Sequence, residues 1–161
     1  MQANIQTILT LLQQQSTLVL ATADSAGAPH STPLFYFVHD DLRLYWFSSG
    51  NSRHSRNCAA NPAASIAVYR ETNQWQQIRG VQMRGEVAAV TDRALRSAIR
   101  EAYCRQFALS PLFSTAIRRS TLYCFTPSWA RYLDNSVRFG YRFEVAFPAP
   151  GRATSPANSR D

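Results

Sequence analysis

Apolar residues recur along the chain with a helical period in two places. The apolar stripes are Ile5, Ile8, Leu9 and Leu12 near the start, and Leu95, Ile99, Ala102 and Tyr103 further on. Spacings of three and four residues predict amphipathic helices, the second one over residues 92–107. A third, shorter helix is predicted over residues 52–60, because Asn61 and Pro62 end it.

The remaining apolar segments are short, rich in β-branched and aromatic residues, and bounded by turn residues, which predicts strands. They are Thr17–Ala23, 30–38, 42–47, Ala63–Tyr69, 78–90, 120–125, 129–133 and 138–147. Residues 70–77 are interpreted as a loop, Ser110-Pro111 as a helix break, and residues 148–161 as a disordered tail. Short connections favour antiparallel pairing, so we predict one domain over residues 1–147, mainly β with flanking helices, in a barrel or sandwich.

Three residues interrupt the predicted strands. Pro33 has no N–H to donate, so its position is expected at a sheet edge, at a bulge or against a ligand. Gly80 and Gly85 make the alternation of residues 78–90 uneven and predict β-bulges. For Gly80 a second interpretation remains open, in which the missing side chain lets a flat ring approach the backbone.

The charge of the chain favours anionic partners. The formal net charge is +7, and all 17 basic residues are arginine. Without lysine there is no Schiff base and no Walker-type phosphate lysine. Any phosphate must therefore be bound by arginine, hydroxyls or backbone N–H groups.

The cysteines and the hydropathy indicate a cytoplasmic protein. Cys58, Cys104 and Cys124 form no CxxC pair, so a disulfide framework or zinc cluster is not expected, and a reducing compartment fits. No run of 18 apolar residues is present, and the N-terminus lacks the cationic segment of a signal peptide.

Residues 42–56 are the segment around which the functional interpretation is built. An apolar strand ends in Ser48 and Ser49, and a helix then begins with Ser52, Arg53 and His54. The first N–H groups of a helix attract anions, whereas cations in the first turn oppose the helix dipole. The segment therefore predicts a phosphate site, with a simple Ser52 cap and solvated charges as the alternative.

Three motifs together carry a resemblance to a known family. They are Leu-Tyr-Trp-Phe-Ser-Ser at 44–49, Ser52-Arg53-His54, and Asn61-Pro62 eight residues after His54. In this order and spacing the chain resembles the pyridoxamine 5′-phosphate oxidase-like flavin-binding split barrels, over roughly residues 18–90. It is most similar to a small bacterial branch with a Trp-x-x-Ile-Arg-Gly-Val-Gln segment, here residues 75–82.

The resemblance implies an antiparallel split β-barrel that binds flavin mononucleotide (FMN) at a homodimer interface. It further implies two-electron oxidoreduction of a small-molecule substrate, with the flavin as electron carrier. The cofactor-binding residues that it implies are Phe47 and Ser48 at the strand end, Ser52, Arg53 and His54 at the phosphate, and Thr32, Leu34 and Gln82 through residues 30–34 and 80–82 near the ring.

The chain also departs from the family pattern at three positions. His54 replaces the usual Lys, Thr32 stands where the oxidases have Arg, and Phe37 stands where they have Lys. The imidazole is mostly neutral at pH 7, so three cationic contacts are absent or weakened. The oxidases' C-terminal substrate motif is not visible either, which argues against pyridoxamine phosphate oxidase activity.

Alternative functions remain open to different degrees. A non-enzymatic split barrel that binds haem or another ligand fits the missing cations. A nucleic-acid surface on Arg93, Arg96 and Arg100 is not favoured, because Asp92 and Glu101 interrupt it. Metal binding is not favoured, because the histidines lie in separate elements, nor is Ser-His-Asp catalysis, because a nucleophile elbow is missing.

Overall fold

A computed structural model describes residues 1–108 and 111–148 of the chain. The helices in this part are α1 (Gln2–Gln14), α2 (Arg53–Ala60), α3 (Arg93–Phe107) and α4 (Pro111–Arg119), with a 3₁₀ turn at Trp75–Gln77. The strands are β1 (Thr17–Ala23), β2 (Pro29–Phe35), β3 (Phe37–Val38), β4 (Leu44–Ser48), β5 (Ala63–Tyr69), β6 (Arg79–Ala89), β7 (Thr121–Asp134) and β8 (Arg142–Ala146).

The strands form one antiparallel sheet in the order β2-β1-β5-β6-β7-β4-β3, and β8 also pairs with β7. The end strands β2 and β3 are consecutive in the chain and are separated only by Tyr36. The sheet must therefore curl until its two edges approach each other. The predicted antiparallel split β-barrel, mainly β with flanking helices, is confirmed.

The inner face of the curled sheet carries the main hydrophobic core. Its buried strand residues include Leu18, Leu20, Leu44, Trp46, Ile66, Val68, Val81, Met83 and Phe125. Helix α1 adds Ile8 and Leu12 to this core, as its stripe predicts. Each fully buried aliphatic side chain stabilises the fold by about 1.5–3 kcal/mol. The Tyr36 hydroxyl donates a 2.5 Å hydrogen bond to the Leu12 carbonyl, which fixes α1 at the β2–β3 junction.

A smaller core lies on the other side of β4, under α3. Tyr45, Ile99 and Leu122 are buried there, and Leu95 packs against them. Helix α3 begins at an Asp92 cap whose Oδ1 accepts hydrogen bonds from the backbone N–H groups of Ala94 and Leu95. The helix and its predicted stripe are confirmed.

Strand β7 differs from its prediction. Residues 120–125 and 129–133 were expected as two strands, but Thr121–Asp134 is one strand of 14 residues. Pro127 fits because it lies where the β6–β7 register shifts, opposite Gly85. A bulge does not require the ladder hydrogen bond that proline cannot donate. The first half of β7 pairs with β4 and the second half with β8.

Other boundaries also differ. The strand predicted over 30–38 is interrupted at Tyr36, and Leu42 has a φ of 63° and lies in the turn before β4. Helix α3 ends at Phe107 and a separate helix begins at Pro111, so the predicted helix break is confirmed. Helix α4 itself was not predicted; Pro111 is its first residue, a position where the missing N–H has no helical partner to lose. Ser110 and residues 149–161 of the predicted tail lie outside the described residues.

The two glycines of β6 have different roles. At Gly85 the register shifts, and a Cβ would lie 2.1 Å from the Thr126 carbonyl oxygen, so the predicted bulge is confirmed. At Gly80 the register is regular, so that predicted bulge is wrong. A Cβ there would meet the Val68 carbonyl oxygen at 3.0 Å, so glycine allows β5 to approach closely at this point.

Candidate phosphate-binding site

The start of α2 lies directly after the end of β4. The chain leaves β4 at Ser48 and turns, and the Ser52 N–H donates to the Ser49 carbonyl at 3.1 Å. Ser52 then caps the helix, because its Oγ accepts from the Ser55 N–H at 3.3 Å. Capping satisfies one of the first N–H groups of the helix, and the N–H groups of Arg53 and His54 have no partner within the helix.

Four side chains meet at this cap, and we call Ser48, Ser52, His54 and Ser55 the serine–histidine cluster. The His54 Nε2 lies 2.8 Å from the Ser48 Oγ and 3.0 Å from the Ser52 Oγ. The Ser52 hydroxyl donates to the Ser55 Oγ at 2.7 Å. Since the Ser52 hydrogen is used there, its oxygen presents lone pairs to His54, which suits an imidazole protonated at Nε2.

His54 is the titratable group of the cluster. Its side chain is buried, and burial lowers its pKa below 6.5, with a further lowering by His30 on β2. Desolvation disfavours the imidazolium, and so does a second histidine nearby. The cluster therefore contains a neutral imidazole at neutral pH, where the family pattern has a permanent cation.

Arg53 supplies positive charge beside the cluster. Its guanidinium lies 3.9 Å from the Asp24 carboxylate, and its side chain is 53% exposed. A contact this long and this exposed contributes little and leaves the guanidinium free to turn toward an anion. Arg56 of the same helix turn is engaged differently, since its guanidinium donates to the Asn51 carbonyl.

Two side chains of strand β2 point to the side of the sheet on which the cluster lies. Thr32 pairs with the buried Leu20 and Leu34 with Leu18, so both side chains point to the inner face, on the side of α2. In the described sheet β2 pairs with β1 alone. Its other edge therefore presents backbone N–H and C=O groups that a ligand can use.

Two of the predicted cofactor residues are not brought to the cluster within one chain. Phe47 lies on the opposite face of β4 from Ser48, and its ring contacts Tyr103 of α3 at 5.3 Å between centroids. Gln82 points to the outer face of the sheet, and β1 and β5 separate its strand from β2. Within one chain, residues 80–82 therefore do not lie beside β2.

Gln82 belongs instead to a groove on the outer sheet face. The groove has a volume of about 530 Å³ and a floor of small residues that includes Ala21, Ser65 and Ala67. Arg84 and Trp129 form its wall, with the guanidinium carbon 4.4 Å from the ring centroid. The same face continues into a second groove of about 820 Å³ along Ala63 and Gly85.

The sequence interpretation missed the residues that support the cluster. Asn57 of α2 donates from Nδ2 to the Thr22 Oγ1 at 3.0 Å, and both side chains are buried. Asp24, the counter-ion of Arg53, also orders the β1–β2 turn by accepting from Ala26 and Ala28. The position of Asn57, three residues after His54 on one helix face, was the available signal.

Two further findings concern cofactors and membranes. Within residues 1–108 and 111–148, no three His, Cys, Asp or Glu side chains come together as a metal site. All three cysteines are free. None of the helices in the described part is both long and apolar enough to cross a membrane.

The fold and this site define an antiparallel split barrel with a helix start that can accept an anion. The family model of the pyridoxamine 5′-phosphate oxidases matches residues 5–134, and the chain belongs to this family. The predicted family resemblance is confirmed.

Individual relatives are more distant. A UPF0306 protein of Photorhabdus laumondii is 26% identical over 137 residues, which are 85% of this chain and 92% of the relative. The conserved hypothetical protein Rv2991 of Mycobacterium tuberculosis has a TM-score of 0.74 at 17% identity, with 93% of each chain covered. HutZ of Vibrio cholerae, described as a heme storage protein, has a TM-score of 0.65 at 20% identity, covering 76% of this chain and 88% of HutZ. These structural similarities show the fold alone.

Proposed function

We propose that this protein binds FMN, with the cofactor phosphate at the serine–histidine cluster, and acts as a cytoplasmic oxidoreductase on a small molecule. The observation that carries the proposal is the convergence of Ser48 and Ser52 on His54 Nε2, within 3.0 Å, at the start of α2. Bound FMN would supply the hydride or electron transfer.

The donor set fits a phosphate monoester. Its oxygens can accept hydrogen bonds from the Ser48 hydroxyl and from the first N–H groups of α2, where the helix dipole also favours an anion. The Ser52 hydroxyl can join them by turning its hydrogen from the Ser55 Oγ to the phosphate. Arg53 adds a planar fork that can bind two phosphate oxygens. The donor types present therefore suit a phosphate monoester.

The same residues are short of positive charge. A phosphate monoester carries a charge of about −1.5 to −2 at pH 7. Thr32 and Phe37 are uncharged, and the lowered pKa keeps His54 neutral. We therefore infer that FMN binds more weakly here than at a site with the full set of cations.

A homodimer with flavin at its interface accounts for the position of Gln82. Thr32 and Leu34 lie on the cluster side of the barrel wall, whereas Gln82 lies in the outer groove. One chain therefore cannot present all of them to one ring. A second copy whose outer face meets the cluster side of the first could contribute its Gln82 to the site of the first.

The first experiment compares FMN with riboflavin, which has the same ring but lacks the phosphate. Both are titrated into the purified chain, with flavin fluorescence and the visible spectrum as readouts. FMN should bind at least about tenfold more tightly, the equivalent of one charge-assisted hydrogen bond. Equal affinities, or binding of neither flavin, would contradict the proposed phosphate site.

Turnover is tested separately on the FMN-loaded protein. Under anaerobic conditions a reduced nicotinamide nucleotide is added, and the visible flavin band is followed. Bleaching, and its reversal by an added electron acceptor, would support oxidoreduction. If FMN binds but no donor bleaches it, the binding proposal stands and the oxidoreductase proposal fails.

Haem is the second candidate ligand, because the shortage of cations at the cluster weakens the case for a phosphate monoester. HutZ, described as a heme storage protein, shares the fold. Against haem, the His54 Nε2 is already hydrogen-bonded to Ser48 and Ser52 and would have to leave them to bind iron. A hemin titration separates the two: a sharp Soret band at one equivalent, lost in His54→Ala, would favour haem.

A further inference from the structure

A buried polar pair lies one helical turn below the serine–histidine cluster. Asn57 on α2 and Thr22 on β1 are both about 5% exposed, and the Asn57 Nδ2 donates to the Thr22 Oγ1 at 3.0 Å. The rest of the contact between α2 and the barrel includes Cys58, whose thiol is buried in the main core. Apolar contacts do not fix the rotation of a short helix, whereas a hydrogen bond is directional.

The pair connects the two halves of the candidate site. Asn57 lies three residues after His54, so both project from the same face of α2. Thr22 is the cross-strand partner of His30, the residue that helps lower the His54 pKa. A rotation of α2 that broke the bond to Thr22 would therefore also move His54 relative to Ser48 and His30.

We propose that Asn57, through Thr22, is a positioning residue for the phosphate ligand: the bond sets the rotation of α2 at which Ser52, His54 and the helix N–H groups converge on Ser48. This inference rests on the proposed FMN function. It assigns no chemical step to Asn57. It makes the affinity for a terminal phosphate monoester depend on a hydrogen bond that does not touch the ligand.

The test removes the hydrogen bond while keeping the packing. Thr22→Val removes the acceptor without changing the shape of the side chain, and Thr22→Ser keeps the acceptor. The double variant Thr22→Val with Asn57→Leu replaces both partners by apolar groups of similar size, which restores stability when only burial matters. FMN and riboflavin affinities and the melting temperature are measured for each.

A positioning role predicts a pattern that a purely structural role does not. Thr22→Val should weaken FMN by about fivefold, the equivalent of one net hydrogen bond, and leave riboflavin unchanged. Thr22→Ser should retain wild-type affinity for FMN. The double variant should regain its melting temperature and still bind FMN weakly. Unchanged FMN affinity in Thr22→Val, equal losses for both flavins, or recovery of FMN binding in the double variant would overturn the inference.

A readout without flavin separates this inference from the proposed function. The ring resonances of His54 are followed by NMR in the flavin-free protein, with Thr22→Ser as the control. If the wild type binds no FMN, the proposed function fails, but a shifted His54 ring in Thr22→Val and the double variant still supports positioning by Asn57. An unchanged His54 ring in those variants contradicts it. If Thr22→Val does not fold, the double variant carries the same comparison.

Discussion

The Ser48 Oγ lies 2.8 Å from the His54 Nε2, so the last residue of β4 and the second residue of α2 are joined through their side chains. The contact places a neutral, hydrogen-bonded imidazole among the hydroxyls that would bind a phosphate. Charge at this position therefore depends on pH, whereas a lysine would supply it permanently.

Replacing His54 with lysine should strengthen FMN binding. The lysine ammonium is charged at neutral pH and is long enough to reach the phosphate. The His54 imidazole is neutral at that pH, because its pKa is lowered, and it offers the phosphate no charge. A charge-assisted hydrogen bond predicts a gain of about tenfold or more in His54→Lys. Fluorescence titration at pH 7.5 measures it, and His54→Gln is the control that keeps polarity without charge. If His54→Lys binds no better than His54→Gln, charge at this position does not limit affinity.

The FMN affinity of the wild type should rise as the pH falls from 8 toward 5.5. The His54 pKa in the free protein is below 6.5, and a bound phosphate favours the imidazolium and raises that pKa. Between the two pKa values binding takes up a proton, so acid strengthens it. The phosphate also titrates, with a second pKa of about 6. The profile of His54→Gln supplies that baseline, and parallel profiles for the two proteins would contradict a role for His54.

The stability of the ligand-free protein should change in the opposite direction. Because the folded-state pKa of His54 lies below its ordinary value of 6.5, the unfolded state binds more protons between the two values. Stability is therefore fully present above about pH 7 and decreases as the pH falls through and below 6.5. Thermal melts between pH 8 and pH 5 should show this loss, and His54→Gln should show less of it. Identical pH dependence in the two proteins would mean that His54 is not the group responsible.

The elements that were predicted correctly are those whose type and position are determined by one local sequence signal. The α2 start needs only Ser52 as a cap, and β1 and β5 need only short apolar segments between turn residues. The prediction of two strands instead of β7 was wrong, because the sequence around Pro127 indicates an interruption. In the structure Pro127 lies at a bulge opposite Gly85, and the strand continues through it. Helix α4 was not predicted, because Pro111 was interpreted only as ending α3, and a proline that begins a helix looks the same in sequence as a proline that ends one.

The part of the candidate site that is formed by residues close together in sequence could be predicted. The part that depends on the order of strands in the sheet or on contacts between distant segments could not. Ser48, Ser52 and His54 lie within seven positions, and the structure brings them together. Gln82 depended on which strands are adjacent, and the sequence did not show that β1 and β5 lie between it and β2. The bond between Thr22 and Asn57 spans 35 positions, so only the tertiary structure reveals it.

Arg53 and Asp24 should affect phosphate binding in opposite directions. The Arg53 guanidinium is available to the ligand, while the Asp24 carboxylate 3.9 Å away competes for it and repels the phosphate. Arg53→Ala should therefore weaken FMN by about tenfold, and Asp24→Asn should tighten it by a smaller factor. Riboflavin affinity is measured in parallel and should not respond. Asn retains an Oδ1 acceptor for the Ala26 and Ala28 N–H groups, so the turn is preserved.

Arg100→Ala on α3 serves as the matched control for the loss of one positive charge. It should leave both flavin affinities unchanged, because only long-range screened electrostatics would connect it to the cluster. If Arg100→Ala and Arg53→Ala weaken FMN binding equally, the effect comes from the net charge of the protein and not from a contact of Arg53 with the phosphate. A tighter complex in Arg53→Ala would contradict the proposed contact.

Of the two glycines in β6, Gly85 at the bulge should be the less able to accept a side chain. A Cβ there would lie 2.1 Å from the Thr126 carbonyl oxygen and 2.9 Å from the Pro127 Cα, and both are backbone atoms that cannot turn away. Gly85→Ala should therefore lower the free energy of unfolding by about 3 kcal/mol, the upper range for overpacking. Chemical denaturation measures it, with Gly50→Ala as the control, since a Cβ at Gly50 meets its nearest atom at 3.9 Å. If Gly85→Ala loses no more free energy of unfolding than Gly50→Ala, then β6 and β7 can separate at the bulge. Pro127 would then remain within one continuous strand without a glycine opposite it.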